Sequence, residues 1–136
     1  MGRHCRGCLV ASAAVDARTL ARLQALGRVV IGAALTVAPG RAGAGWIGRD
    51  ARRPPVQVAI GAFGARDLAL GLGTAYAARQ GYGARPWLRA GVLADAADLV
   101  VTLRARDHLS PLAVAGVGSL AAGSAVLGLW LGRELD

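Results

Sequence analysis

The sequence predicts an all-α fold, an integral membrane bundle of four transmembrane helices. Hydrophobic residues make up 54% of the 136 residues, against 18% charged residues, and the mean hydropathy is +0.44. A soluble domain of this length usually carries more charge. Four apolar runs, at about 17–38, 56–78, 87–103 and 111–131, are long enough for transmembrane helices. Their residues are mostly Ala, Leu, Val and Gly, which suit helices that pack closely within lipid.

The charge of the chain bears on its partners. The formal net charge is +8, and every lysine-or-arginine position is an arginine. Most of these arginines lie at the ends of apolar runs, where basic residues anchor helices at the membrane interface. We therefore expect the lipid bilayer, and not nucleic acid, as the partner, although the pI is about 11.4. A soluble, alanine-rich helical bundle is the alternative fold.

Residues 1–15 are predicted to form a flexible basic N-terminal tail, ahead of a four-helix transmembrane domain at 16–136. Cys5 and Cys8 form a Cys-x-x-Cys next to His4. A structural zinc site usually has four ligands, and this set lacks a second pair. A redox-active pair is the alternative, but the βαβ context of thioredoxin-like motifs is missing.

The first span, at about 17–38, is predicted to end at Pro39-Gly40, because proline and glycine stop helices. A polar stripe repeats at every fourth residue along it: Gln24, Arg28, Gly32 and Thr36. Residues four apart share one face of a helix, so we expect this stripe to point into the bundle.

The segment 40–55 is predicted to be a flexible interfacial loop that ends in Pro54-Pro55. Its string Gly43-Ala-Gly45-Trp-Ile-Gly48 matches the glycine fingerprint of dinucleotide sites. No strand pattern precedes the string and a proline pair follows it, so we do not expect a nucleotide site. Trp46 fits better as a residue that anchors the loop at the membrane surface.

The second span, at about 56–78, carries Arg66 and Asp67 near its middle. Ionised groups at that depth cost about 2.5–3.5 kcal/mol each on insertion scales and usually face a protein interior. Adjacent residues on a helix do not face each other, so these two are predicted to point at different neighbours. Arg66 shares its face with small residues that we expect to admit a neighbouring backbone: Ala59, Ala62, Ala69 and Gly73.

The third span, at about 87–103, is the least apolar of the four. Asp95 and Asp98 are three residues apart and share a face with Thr102, so we expect both carboxylates to point into the bundle. Arg89 lies nearer the membrane interface, where its long side chain can reach water as an interfacial partner of the cluster.

The fourth span, at about 111–131, is predicted to begin at Ser110-Pro111, an N-cap followed by proline in the first turn. It carries no charge, and Ala115, Ser119 and Gly123 are predicted to form its packing face. Four spans place both termini on one side. We expect this to be the cytoplasmic side of a bacterial inner (plasma) membrane.

Three spans bring charged residues to a similar depth: Arg28, Arg66, Asp67, Asp95 and Asp98. The sequence predicts that the carboxylates of the third span meet the arginines of the first two spans. The pairs that we expect are Arg66 with Asp95 or Asp98, and Arg28 with Asp67. Such pairs hold helices in register, which predicts a structural or accessory protein, as a homo-oligomer or as a subunit of a larger membrane complex. The first alternative is a small transporter or channel-like protein that uses the cluster for a proton, an ion or a small anion.

A membrane enzyme acting on a lipid-like substrate is the second alternative. Asp95-Ala-Ala-Asp98 has the spacing of the magnesium-binding Asp-x-x-Asp of membrane prenyltransferases, but those enzymes carry a second aspartate-rich motif and more spans. Both histidines fall outside the spans, so no Ser/His/Asp or Cys/His set is expected within them. We expect no catalytic residues, no metal and no cofactor.

The motifs of three spans together resemble a known family. They are Arg28 in a span closed by Pro39, then Gly64-x-Arg66-Asp67-x-x-Leu70-Gly71, then Asp95-x-x-Asp98. This pattern is similar to that of small four-helix bacterial integral membrane proteins of unknown function. The resemblance covers roughly residues 20–125 and implies the fold but no activity. The arginine of the first span is also loosely similar to that of DoxX-like membrane proteins.

Overall fold

Helices joined by short connections form the described part of the chain, in a computed structural model that describes the backbone of residues 6–135 and the side chains of residues 17–135. Four helices are long: α1 (Arg6–Val37), α4 (Pro54–Gln80), α5 (Ala84–Arg104) and α6 (Pro111–Glu134). Two short helices, α2 (Pro39–Ala42) and α3 (Ala44–Ile47), follow α1, and 3₁₀ turns cover Gly48–Arg52 and Arg106–His108. The all-α prediction is confirmed.

Local sequence signals set the helix ends. The Ser110 hydroxyl accepts a hydrogen bond of 3.1 Å from the Ala113 backbone N–H and caps α6, with Pro111 in the first turn. Gly81 ends α4 in the left-handed conformation, with φ of 81°, which glycine adopts without steric cost. α1 ends at Val37, before Pro39. Proline, glycine and serine therefore mark these helix ends in the sequence.

The N-terminal end of α1 lies inside the segment that was predicted to be a tail. The helix begins at Arg6, ahead of the predicted span start near residue 17. His4, Cys5 and the side chain of Cys8 lie outside the described residues. The expectation that the two cysteines form neither a zinc site nor a thioredoxin-like redox pair is therefore not tested and stays a prediction.

Three helices of the described chain are long and apolar enough to cross a membrane: the Ala17–Val37 part of α1, α4 and α6. The fourth long helix, α5, is not among them, because Arg89, Asp95 and Asp98 lower its hydropathy. Large apolar side chains lie on the outside of the bundle, with Val37 84% and Leu112 83% exposed. Water would not favour such a surface, whereas lipid would cover it, so this is a helical membrane protein.

The bundle consists of two close helix pairs, α1 with α4 and α5 with α6. In the first pair the two backbones touch. A β-carbon on Gly32 would lie only 2.5 Å from the Leu68 nitrogen and 2.7 Å from the Gly64 carbonyl oxygen. Glycine at these positions is what allows this approach, as in other closely packed membrane helices.

The packing faces of α4 and α6 differ from the predicted ones. On α4 the close approach to α1 uses Gly64 and Gly71, which are buried. Of the predicted stripe, Ala59, Ala62 and Ala69 are exposed, and only Gly73 is packed, against the Trp87 ring of α5. On α6 the buried residues are Ala113, Gly118, Ala121, Gly128 and Leu131, whereas Ala115, Ser119 and Gly123 are exposed. Both helices carry small residues on several faces, so residue size alone pointed to the wrong face.

Small side chains fill the interior at the end of the bundle where α1, α4, α5 and α6 meet. The buried cluster there is Ala17, Ala21, Ala77, Ala84, Leu88, Leu131 and Leu135. Alanine dominates the inside while leucine and valine dominate the outside. This distribution is the reverse of that in a soluble bundle, and it suits helices whose association depends on close packing within lipid.

The segment predicted to be a flexible loop is folded into α2, α3 and the first 3₁₀ turn. Gly43 donates a 2.8 Å hydrogen bond to the Pro39 carbonyl oxygen and ends α2. Gly43 also packs against Ile60 of α4, since a β-carbon there would lie 2.5 Å from Ile60 Cδ1. The segment therefore lies against the bundle and positions its residues over the interior.

We expect Gly64→Ala to destabilise the protein and Gly61→Ala to leave it unchanged or slightly more stable. The added methyl at position 64 would meet the Gly32 oxygen and the Thr36 nitrogen at 2.7 Å, whereas nothing lies within 4 Å at position 61. Forcing atoms into a packed contact costs about 1–3 kcal/mol or more, while alanine in a helix gains about 0.5–1 kcal/mol over glycine. Thermal unfolding in one detergent measures both, and equal melting temperatures would contradict the backbone contact.

Candidate functional site

The five charged residues predicted to lie inside the membrane come together as one cluster. Arg28 of α1 and Asp95 of α5 are buried, with 8% and 6% exposure. Asp67 and Arg66 of α4 and Asp98 of α5 are partly buried. Every member makes an ion pair with another member, at distances from 2.5 to 3.3 Å. We call these residues the charge cluster.

Arg28 is the centre of the charge cluster. Its Nη1 donates to Asp67 Oδ1 at 3.3 Å, and its Nη2 donates to Asp95 Oδ2 at 2.5 Å. The same Nη2 lies 3.3 Å from the hydroxyl oxygen of Ser124 on α6 and donates to it. One guanidinium of α1 thus binds side chains of all three other long helices.

Arg66 forms a second, two-point contact. Its Nη1 and Nη2 donate to the two oxygens of Asp98 at 3.0 and 2.6 Å, the fork geometry in which arginine binds a carboxylate most specifically. Nη2 also lies 3.3 Å from Asp67 Oδ1. The guanidinium carbon is 5.2 Å from the centre of the Phe63 ring, which adds a cation–π contact.

The predicted pairing is present, with two further contacts that were not named. Arg28 pairs with Asp67 as predicted, and Arg66 pairs with Asp98, one of its two predicted partners. As predicted, Arg66 and Asp67 pair with side chains of different helices, α5 and α1, but Arg66 Nη2 also lies 3.3 Å from Asp67 Oδ1. The buried pair of Arg28 with Asp95 agrees with the expectation that the carboxylates of the third span meet the arginines of the first two, although this pair was not named.

The polar stripe of α1 partly points inward, as predicted. Gln24 Nε2 donates to the carbonyl and hydroxyl oxygens of Ser124, at 2.9 and 3.0 Å. A carbonyl can only accept, so this bond fixes the orientation of the amide. The Oε1 of Gln24 is then buried without a hydrogen-bond donor from the described residues. Thr36 instead donates to the Gly32 carbonyl of its own helix.

Arg89, the predicted interfacial partner, is exposed, and no described ion pair includes it. Thr102 has a role that the sequence did not indicate. It is 1% exposed, and its hydroxyl accepts a 3.2 Å hydrogen bond from the indole N–H of Trp46 on α3. Trp46 also meets Phe63 of α4 edge to face, with ring centres 5.8 Å apart. Trp46 therefore connects the α2–α3 segment to the bundle interior.

A cavity of about 330 Å³ lies between α1 and α6, beneath the α2–α3 segment. Four members of the charge cluster border it: Arg28, Asp67, Asp95 and Asp98. The remaining lining residues are mostly apolar: Gly27, Ile31, Leu35, Ala42, Gly45, Trp46, Val117, Leu120 and Ala121, with Gln24 and Ser124. We call the apolar residues the wall of the cavity and the four charged residues, with Gln24 and Ser124, its floor.

The charge cluster is not neutral. Two arginines face three aspartates, so its formal charge is −1. Arg66 is not among the lining residues, which makes the excess of carboxylate larger at the cavity itself. In residues 17–135, no group of three or more His, Cys, Asp or Glu side chains is arranged to hold a metal ion. Because carboxylates are in excess at the cavity, its floor can accept hydrogen bonds and balance a positive charge.

Comparisons with protein-family models, with curated proteins and with solved structures found no match to this chain.

We expect charge exchange to distinguish Asp98 from Asp95 as the partner of Arg66. Arg66→Asp or Asp98→Arg alone should lower stability by about 3–5 kcal/mol, since each leaves buried charge unpaired. The double variant Arg66→Asp with Asp98→Arg should recover much of the melting temperature, because it restores the pair with reversed direction. The matched control is Arg66→Asp with Asp95→Arg, which should not recover. Recovery in the control alone would refute the observed pairing.

Proposed function

We propose that this protein binds a small ligand within the membrane, at the cavity between α1 and α6, in the manner of a small transporter or channel-like protein. The supporting observation is that the cavity of about 330 Å³ borders three carboxylates and one guanidinium. Ionisable groups within membrane helices often mark the path of an ion or a substrate. A cavity that ends on such groups is the arrangement expected of a binding site.

The size and the lining of the cavity support the same proposal. Ligand pockets in proteins usually measure about 300–1,000 Å³ and combine apolar walls with a few polar groups that orient the ligand. Ile31, Leu35 and Val117 supply apolar wall, and the charge cluster supplies polar groups at one end. The cavity volume is small, so the ligand would have few non-hydrogen atoms.

A structural role for the charge cluster is the second candidate. The two-point contact of Arg66 with Asp98 joins α4 to α5, and Arg28 joins α1 to the other three long helices. Such contacts can hold the two helix pairs together within a homo-oligomer or a larger complex. The two candidates differ in whether water reaches the carboxylates.

The proposal includes α5 as a fourth membrane-spanning helix. Its 21 residues extend about 32 Å at 1.5 Å per residue, enough to cross the hydrocarbon core. Leu93 is 73% exposed and Leu103 is 47% exposed, whereas Asp95 is buried. The polar residues that lower its hydropathy are thus partly turned inward. With α5 as the fourth span, both termini lie on one side of the membrane. The proposal also includes that this side is cytoplasmic and that the protein is similar to small bacterial membrane proteins.

Reporter fusions test the fourth span. A reporter inserted at Tyr82, in the turn before α5, and one inserted at His108, in the turn after it, should report opposite sides of the membrane. Both turns are exposed, so the insertions leave the core intact. Reporters on one side would mean that α5 does not cross, and the protein would have three spans.

Cysteine labelling tests whether water reaches the cavity. In a variant with Cys5 and Cys8 changed to serine, we expect Val117→Cys to react with a water-soluble maleimide, because Val117 lines the cavity. Val126→Cys is the matched control on the same helix. Its side chain is 67% exposed on the outside, where lipid would exclude water and keep the thiol unreactive. Equal protection of both positions would mean a dry cavity, and the structural role would then replace the proposal.

A further inference from the structure

The hydrogen-bonding capacity of the cavity floor indicates which ligands it suits. Both terminal nitrogens of Arg28 already donate, Nη1 to Asp67 and Nη2 to Asp95 and Ser124. Arg66 directs both of its terminal nitrogens at carboxylates and does not line the cavity. An anion entering the cavity would therefore meet three carboxylates that repel it, beside a guanidinium whose two terminal nitrogens already pair with carboxylates.

Acceptors, in contrast, remain at the floor. Within the described residues, both hydrogen bonds to Asp67 use Oδ1, with Arg28 and Arg66 each at 3.3 Å. Asp67 borders the cavity, and its Oδ2 keeps the capacity of a carboxylate oxygen to accept. Gln24 also lines the cavity and has a buried Oε1 without a donor among the described residues. Both unused acceptors belong to residues that line the cavity, whereas the buried donor without a partner among the described residues, Arg66 Nε, belongs to a residue that does not line it. The local charge is negative.

The wall of the cavity favours an organic ligand over a bare metal ion. Ile31, Leu35, Val117 and Leu120 offer apolar contact along its length. Trp46 offers an aromatic ring, which attracts cations and packs against apolar groups. A hydrated metal ion would gain nothing from this wall, whereas a small molecule with one cationic end and one apolar end would match both parts.

We propose that the cavity binds a small protonated amine with an apolar body, its ammonium donating to Asp67 and its apolar part lying between α1 and α6. This inference rests on the proposed function, because it names the ligand class of the same cavity. The ammonium supplies the hydrogen-bond donors that Asp67 Oδ2 lacks and the positive charge that balances the cluster. The charges of Arg28 and Arg66 stay paired throughout.

Isothermal titration calorimetry of the purified full chain in detergent tests the ligand class with three probes of nearly equal size. Benzylammonium, benzyl alcohol and benzoate differ mainly in the charge of one end. We expect saturable binding of benzylammonium, at least about tenfold weaker binding of benzyl alcohol because a charge-assisted hydrogen bond is lost, and no binding of benzoate. This ranking needs no variant and is decisive even where substitutions affect folding.

Asp67→Asn tests the assigned residue. It keeps the shape of the side chain, removes the excess negative charge and should weaken benzylammonium binding about tenfold or more. Asp107→Asn is the matched control, because Asp107 lies in an exposed 3₁₀ turn with its side chain 82% exposed, and should leave binding unchanged. Gel filtration and circular dichroism establish that each variant is folded.

The outcomes separate this inference from the proposed function. Benzoate binding as tightly as benzylammonium would overturn the amine assignment, and so would unchanged benzylammonium binding in folded Asp67→Asn. If Val117→Cys reacts with the maleimide but none of the three probes binds, the amine assignment is overturned, while the proposed water-accessible cavity is retained. An unreactive Val117→Cys would overturn the proposed function itself, and the amine assignment with it.

Discussion

The pairing of Arg28 inside the bundle is the constraint on which the rest of the structure depends. A guanidinium stays charged at any physiological pH, so a helix that carries one within a membrane must find partners there. Arg28 finds them on α4, α5 and α6 at once, through Asp67, Asp95 and Ser124. Because one group makes all these contacts, the relative positions of the four long helices are not independent of each other.

The sequence identified the members of the charge cluster but not all of their contacts. Position along a helix determines which face a residue occupies, which is why Arg28 and Asp67 were matched correctly. It does not determine the axial offset between neighbouring helices, and that offset decides whether Arg66 meets Asp95 or Asp98. The additional contact between Arg66 and Asp67 was not expected, because the angle between their Cα–Cβ bonds says little about a side chain as long as arginine.

Other features left weak signals in the sequence or none. Serine occurs twice in the apolar run of α6, and only Ser124 turns toward Gln24 while Ser119 is exposed. Alanine and glycine occur on every face of α4, so its close contact through Gly64 could not be told from its lipid-facing stripe. Trp46 lies in a glycine-rich segment that resembles a loop, and its bond to Thr102 depends on how that segment folds over the bundle.

The alanine-rich interior at one end of the bundle has a thermodynamic consequence. Alanine has no side-chain rotamers to lose on folding, whereas leucine loses about 0.5–1 kcal/mol of rotamer freedom. Ala17, Ala21, Ala77 and Ala84 thus become buried at no cost in side-chain entropy, while the exposed leucines and valines keep their rotamers in contact with lipid. Burial of these alanines therefore orders only backbone, whereas the arginines of the charge cluster lose side-chain freedom in their ion pairs.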